Sequence, residues 1–127
     1  MSGEHRRVRL AASAKADLKH IGKKYGKRTY ETIRDLIKDL AFDPEKKGEP
    51  LRGLLHGLYS CHYSRFRIIY RIERGEFVVV VIGAGFHEAD SRADIYQVIK
   101  EMLKSGALVI QDEVSRSLDE PVDPDEE

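Results

Sequence analysis

The stretch Leu58–His87, LYSCHYSRFRIIYRIERGEFVVVVIGAGFH, decides how this chain folds. Two runs in it, Tyr59–Ile72 and Phe77–Ile82, are dense in Val, Ile, Tyr and Phe, side chains that suit a pleated, half-buried surface. Glu73-Arg74-Gly75-Glu76 between them is short, polar and contains a glycine, which signals a hairpin. Alternation along the first run places Ser60, His62, Ser64, Phe66, Ile68, Tyr70 and Ile72 on one face, of which the last four make a core surface. Tyr59, Cys61, Tyr63, Arg65, Arg67, Ile69 and Arg71 take the other face, with three arginines aimed at water or an anionic ligand. On this phase His62 reaches the Arg67 surface only through a bulge near Tyr63-Ser64 that shifts the register by one residue.

Upstream, His5–Leu10 alternates charged and apolar residues and reads as a first strand. Ala11–Tyr25 reads as a helix with Ser13 as N-cap, an Ala14, Leu18, Ile21 face, and Gly22 and Gly26 at its end. Lys27–Phe42 carries Tyr30, Ile33, Leu36, Ile37 and Leu40 at helical spacing, so the two helices should pair as an antiparallel hairpin. Asp43-Pro44 closes the second helix, and Glu45–Gly57 reads as a loop. Downstream, Ser91–Ser105 is a helix capped by Ser91, apolar at Ile95, Val98, Ile99, Met102 and Leu103, and stopped by Gly106. Ala107–Ile110 is a short β-prone run. The expected fold is α+β: a small antiparallel sheet with an N-terminal helical hairpin packed on one face and a C-terminal helix.

The 127 residues form one domain, 1–110, followed by an acidic tail, 111–127, with the composition of disorder. No apolar run approaches the roughly 20 residues of a spanning helix, and Met1–Arg9 lacks the apolar segment of a signal peptide. A lone cysteine, Cys61, excludes an internal disulfide and fits a reducing cytoplasm. One Cys and five scattered His give no zinc spacing, and no metal or other cofactor is expected. The 22 basic and 22 acidic residues are unevenly placed: the tail holds eight acids and one base, which leaves 21 bases against 14 acids in the body. A basic body suits a polyanion, although solvated surface accounts for the same charges. The acidic tail is expected to fold back over the basic face as a weak mimic of such a polyanion.

Leu51-Arg52-Gly53, Gly57-Leu58-Tyr59, Phe66-Arg67-Ile68-Ile69-Tyr70, Val80-Val81-Ile82-Gly83 and Asp94-Ile95-Tyr96 resemble, in order and spacing, the RelE/ParE superfamily of bacterial type II toxins. The resemblance covers roughly Val8–Leu103. It implies a microbial-RNase-like fold, a cognate antitoxin protein as partner, and hetero-oligomers with it. RelE-like members cut mRNA on the ribosome without a metal, whereas ParE-like members inhibit DNA gyrase without nuclease chemistry.

Metal-free RNA cleavage by the ribose 2′-hydroxyl requires a base, a cation for the phosphorane and an acid for the 5′ oxygen. Arg67 matches the family's strand arginine, whose fork holds phosphate oxygens. His87 stands where relatives carry arginine or histidine; a histidine, unlike an arginine, can give or take a proton near neutrality, so it is the candidate acid. Tyr96 is the candidate that orients the nucleophile or stacks on a base. His62, in a region where relatives place basic side chains, is the candidate base, with Ser60 as a departure beside it. Arg52, Arg65 and His56 are candidate RNA-binding residues. Glu88 and Asp90 flank His87 as carboxylates able to bias its protonation. Each also has a plain reading: a solvated strand arginine, a loop histidine, a packed helix tyrosine.

Overall fold

A computed structural model describes residues 6–76, 78–88 and 94–106. Strand β1 (Arg7–Leu10) leads into helices α1 (Ala12–Tyr25) and α2 (Lys27–Asp39). A one-turn helix α3 (Pro44–Lys47) and a two-residue strand β2 (Glu49–Pro50) follow. Strands β3 (Tyr59–Tyr63), β4 (Phe66–Glu73) and β5 (Val78–Phe86) and helix α4 (Ile95–Ser105) complete the order. The strands form one five-stranded sheet in the order β1-β5-β4-β3-β2. It is antiparallel except at its outer edge, where β1 runs parallel to β5.

Both faces are covered. Ala14, Leu18 and Ile21 of α1 and Ile33, Ile37 and Leu40 beside them pack on Phe66, Ile68, Tyr70, Ile72, Val79 and Val81. Ile95 and Ile99 of α4 pack on Ile69, Val78, Val80 and Ile82 on the other side, with Leu55 and Leu58. The apolar spacing that suggests each helix also selects its face. At Gly26 the backbone takes φ 100 while its N–H reaches Gly22 O at 3.1 Å, so one glycine ends α1 and starts α2.

Several local expectations change. The run Tyr59–Ile72 is not one strand but two, reversed by a tight turn at Ser64-Arg65 with Ser64 at φ 56. The turn pairs Tyr63 with Phe66 and His62 with Arg67. No bulge at Tyr63-Ser64 is needed: reversal itself carries Ser60 and His62 to the Arg67 face. Arg71 is not open to a ligand; it is 5% exposed and ion-paired with Glu73 at 2.6 Å. Ser13 does not cap α1, which follows Ala11; its hydroxyl is spent on Ile82 O at 2.6 Å. Helix α2 ends at Asp39, short of Phe42, and α3 and β2 occupy part of the expected loop. Asp94, not Ser91, caps α4. Ser91, Ala107–Ile110 and the tail lie outside the described residues.

Tyr70 locks this arrangement. Its ring is fully buried, stacks on Tyr59 at 5.6 Å, and its hydroxyl donates to Pro44 O at 2.7 Å. Beside it, a side chain at Gly48 would lie 2.6 Å from both Ser60 O and the Tyr70 hydroxyl. Tyr70→Phe should keep the packing but strand a buried carbonyl, costing about 1–3 kcal/mol. A urea midpoint lowered accordingly, with an unchanged slope, is the expected result; an unmoved midpoint would show that Pro44 O finds another donor.

Candidate active site

One irregularity places the site. Ile69 pairs with Gly83 but its neighbour Tyr70 pairs with Val81, so Ile82 is an extra residue in β5. Before this bulge Val79 and Val81 face α1 and α2; after it Ala84 and Phe86 do. Gly85 and His87 are thereby turned to the α4 face, where uninterrupted alternation would have put Ala84 and Phe86. Helix α1 holds the bulge through the two residues Ser13 and Asp17, one turn apart. Ser13 binds Ile82 O, and the Asp17 carboxylate accepts the Ala84 N–H at 3.0 Å. At Gly83 a side chain would sit 3.1 Å from Ile99 and 3.2 Å from the Asp17 carboxylate, which explains the glycine.

Beyond the bulge the α4 face is polar. His87 Nδ1 lies 2.6 Å from Asp94 Oδ1, and its ring meets Tyr96 edge-on with centroids 5.0 Å apart. The Tyr96 hydroxyl lies 2.8 Å from the Ser60 hydroxyl. Asp94 is 6% exposed and saturated: Oδ1 also accepts Glu88 N–H at 2.6 Å, and Oδ2 accepts Tyr96 N–H and Gln97 N–H at 3.0 and 3.2 Å. His87, Tyr96, Ser60 and Asp94 are therefore one connected cluster. Strand pairing sets Arg67 between His62 and Gly85, and His87 N–H continues the ladder to Arg65 O at 2.9 Å. Arg67 is thus a diagonal neighbour of His87 on one face, a spacing of roughly 7–8 Å between backbones. An arginine spans that distance. Its guanidinium here donates to Ser64 O and Phe66 O, both at 3.2 Å, which turns it toward the β3–β4 turn.

The other candidates stand apart. His62 is opposite Arg67 but exposed at the sheet margin, where it also lines a groove with Thr32, Asp35, Leu36, Asp39 and Tyr63. Arg65 is at the turn tip, its guanidinium 5.0 Å over the Phe86 ring, so it does not share the face of Arg67. Arg52 and His56 are exposed on the segment before β3, whose Leu55 and Leu58 support the α4 face. The carboxylate at His87 is that of Asp94 rather than Glu88; Asp90 lies outside the described residues. Asp94 and Ser60 were not assigned roles from sequence. An acid directly before an apolar helix start was the available signal for Asp94; nothing local marked Ser60. Among the described residues no cluster of three or more His, Cys, Asp or Glu is gathered for a metal.

The profile of the ParE toxin of type II toxin–antitoxin systems, parDE, matches residues 8–85. The chain belongs to this family, within the RelE/ParE superfamily of toxins. It is similar to the toxin RelE of Mycobacterium tuberculosis, 30% identical over 93 residues that span 72% of this chain and 93% of that toxin. Toxin RelG of the same organism is 37% identical over 59 residues, 46% of this chain, and the match spans only 62% of that toxin. Among solved structures, a chain of the M. tuberculosis toxin–antitoxin complex RelBE2 superposes with a TM-score of 0.58 at 28% identity, covering 68% of this chain and 94% of that one.

Burial raises the Asp17 carboxyl above its ordinary value of 3.8, with the Ala84 N–H and then His20 opposing. A raised acid favours the fold in its protonated form. That contribution is full below the ordinary carboxylate value and is lost as pH rises through the raised one. Asp17→Asn keeps an acceptor for Ala84 without a charge. Its stability relative to the parent should therefore increase as pH climbs through that window, measured as urea midpoints at a series of pH values. A difference that does not vary with pH would contradict this.

Proposed function

We propose that this toxin acts in the cytoplasm as an mRNA endonuclease on the ribosome, cutting by attack of a ribose 2′-hydroxyl, and is held in check in a hetero-oligomer with a cognate antitoxin. The observation that carries the reading is a supported histidine and a strand arginine as diagonal neighbours on one polar sheet face. Arg67, released from the turn carbonyls, neutralises the phosphorane. His87 gives a proton from Nε2 to the departing 5′ oxygen. Tyr96, fixed by Ser60, orients the 2′-hydroxyl or a base, and His62 across from Arg67 takes the nucleophile's proton. Arg52, Arg65 and His56 contribute contacts along the RNA backbone. The antitoxin reading is supported by the RelBE2 neighbour, solved as a toxin–antitoxin complex. Residues 1–110 supply the working domain, with 111–127 as an appended acidic segment.

The match to the ParE profile favours a second reading, a non-enzymatic gyrase inhibitor. Induced expression should arrest growth under either. Under the first, transcript ends appear inside translated codons. Arg67→Ala and His87→Ala should each slow cleavage by about 10²-fold or more, and the double variant should restore growth. Growth arrest that survives both substitutions, with DNA damage signalling and intact transcripts, would decide for gyrase.

A further inference from the structure

We infer that Asp94 is a positioning residue for His87: it fixes the imidazole with Nδ1 protonated, so that the only nitrogen exchanging a proton with the RNA is Nε2. The inference rests on the nuclease reading and adds to it a residue that acts through another.

The geometry leaves little choice of proton placement. Oδ1 of Asp94 accepts the Glu88 N–H, and Oδ2 accepts two N–H groups at the start of α4. A carboxylate so surrounded by donors is an acceptor on every side. The ring nitrogen 2.6 Å from Oδ1 must therefore be the donor. Nδ1 keeps its proton in both charge states of the ring. The neutral ring then carries its lone pair at Nε2, and the charged ring carries its transferable proton there. When the P–O5′ bond breaks, that proton passes from Nε2 to the leaving oxygen, and Nδ1–H stays on Asp94. The Tyr96 edge contact limits ring rotation about this bond. Asp94 has a second duty, capping α4, and the substitutions must separate the two.

Asp94→Ser keeps a capping oxygen for the first turn of α4 but is too short to reach Nδ1. Asp94→Asn can cap with its oxygen, which turns its NH₂ toward Nδ1, gives up the bond from Glu88 N–H and selects the opposite tautomer. Nitrogen spectra of the full chain labelled with ¹⁵N-histidine report the tautomer directly and need no activity. The parent should show neutral His87 with Nδ1 protonated; Asp94→Asn should move the proton to Nε2, and Asp94→Ser should lose the Nδ1 preference. In a reconstituted translation mixture containing a defined mRNA, both variants should cleave at least about tenfold more slowly, the scale of a lost supporting hydrogen bond. In the Ser case the helix content should be unchanged by circular dichroism. Neither should slow cleavage further in a His87→Ala background.

An Nε2-protonated neutral ring in the parent, or a tautomer that both variants leave alone, would overturn the inference. So would an equal loss on top of His87→Ala, which would assign Asp94 to helix capping alone. If the parent cuts no RNA while the tautomer responds as stated, the positioning of His87 stands and the nuclease reading fails.

Discussion

The contact on which the site depends is made by α1, a helix that contributes no candidate active-site side chain. Ser13 and Asp17 hold the carbonyl of Ile82 and the amide of Ala84, backbone groups of β5 at and just past its extra residue, beyond Val81 where the pairing with β1 ends. A bulge left without such partners would carry unpaired polar groups between two packed layers, at a cost of about 1–3 kcal/mol for each. With them, the strand changes phase once. Its first half buries valines on both faces, and its end presents Gly85 and His87 toward α4. Fold and site are therefore joined at one irregular point, where a regular strand would have put a phenylalanine ring in the position of chemistry.

Much of the architecture can be read from periodicity. The apolar faces of α1, α2 and α4, the core face Phe66, Ile68, Tyr70, Ile72 and the hairpin into β5 all follow from spacing, because burial on a helix or strand is a local pattern. What escaped reading was chain reversal and phase. Tyr59–Ile72 is apolar enough throughout to pass for one strand, and Ser64-Arg65 lacks the glycine or asparagine that usually marks a left-handed turn. The position of His62 suggests a bulge near Tyr63-Ser64, whereas the bulge lies in β5. Its stabilising partners are some 67–69 residues away in sequence, so no local window contains it.

The same distinction separates the site residues. Arg67, His87 and Tyr96 were visible because of their resemblance to a family pattern, and the structure gathers His87 with Tyr96 and sets Arg67 on the adjoining rung. The roles of Asp94 and Ser60 exist only in the folded chain, as contacts made across a loop and from the sheet to α4. Arg71 shows the converse error: a strand arginine at the right parity for an open face is instead buried and paired with Glu73. Charge pattern alone does not separate an anion-binding arginine from one that closes an internal ion pair.

The brevity of β2 has its own consequence. It pairs only with Tyr59 and Ser60 of β3, so among the described residues no strand pairs with the rest of this edge, where Cys61 is buried and Tyr63 is 40% exposed at the tip. Such a rim is a template for further strand pairing. With only His62 and Tyr63 exposed along it, that template is short, and a second chain adding to this edge would find few backbone groups to pair.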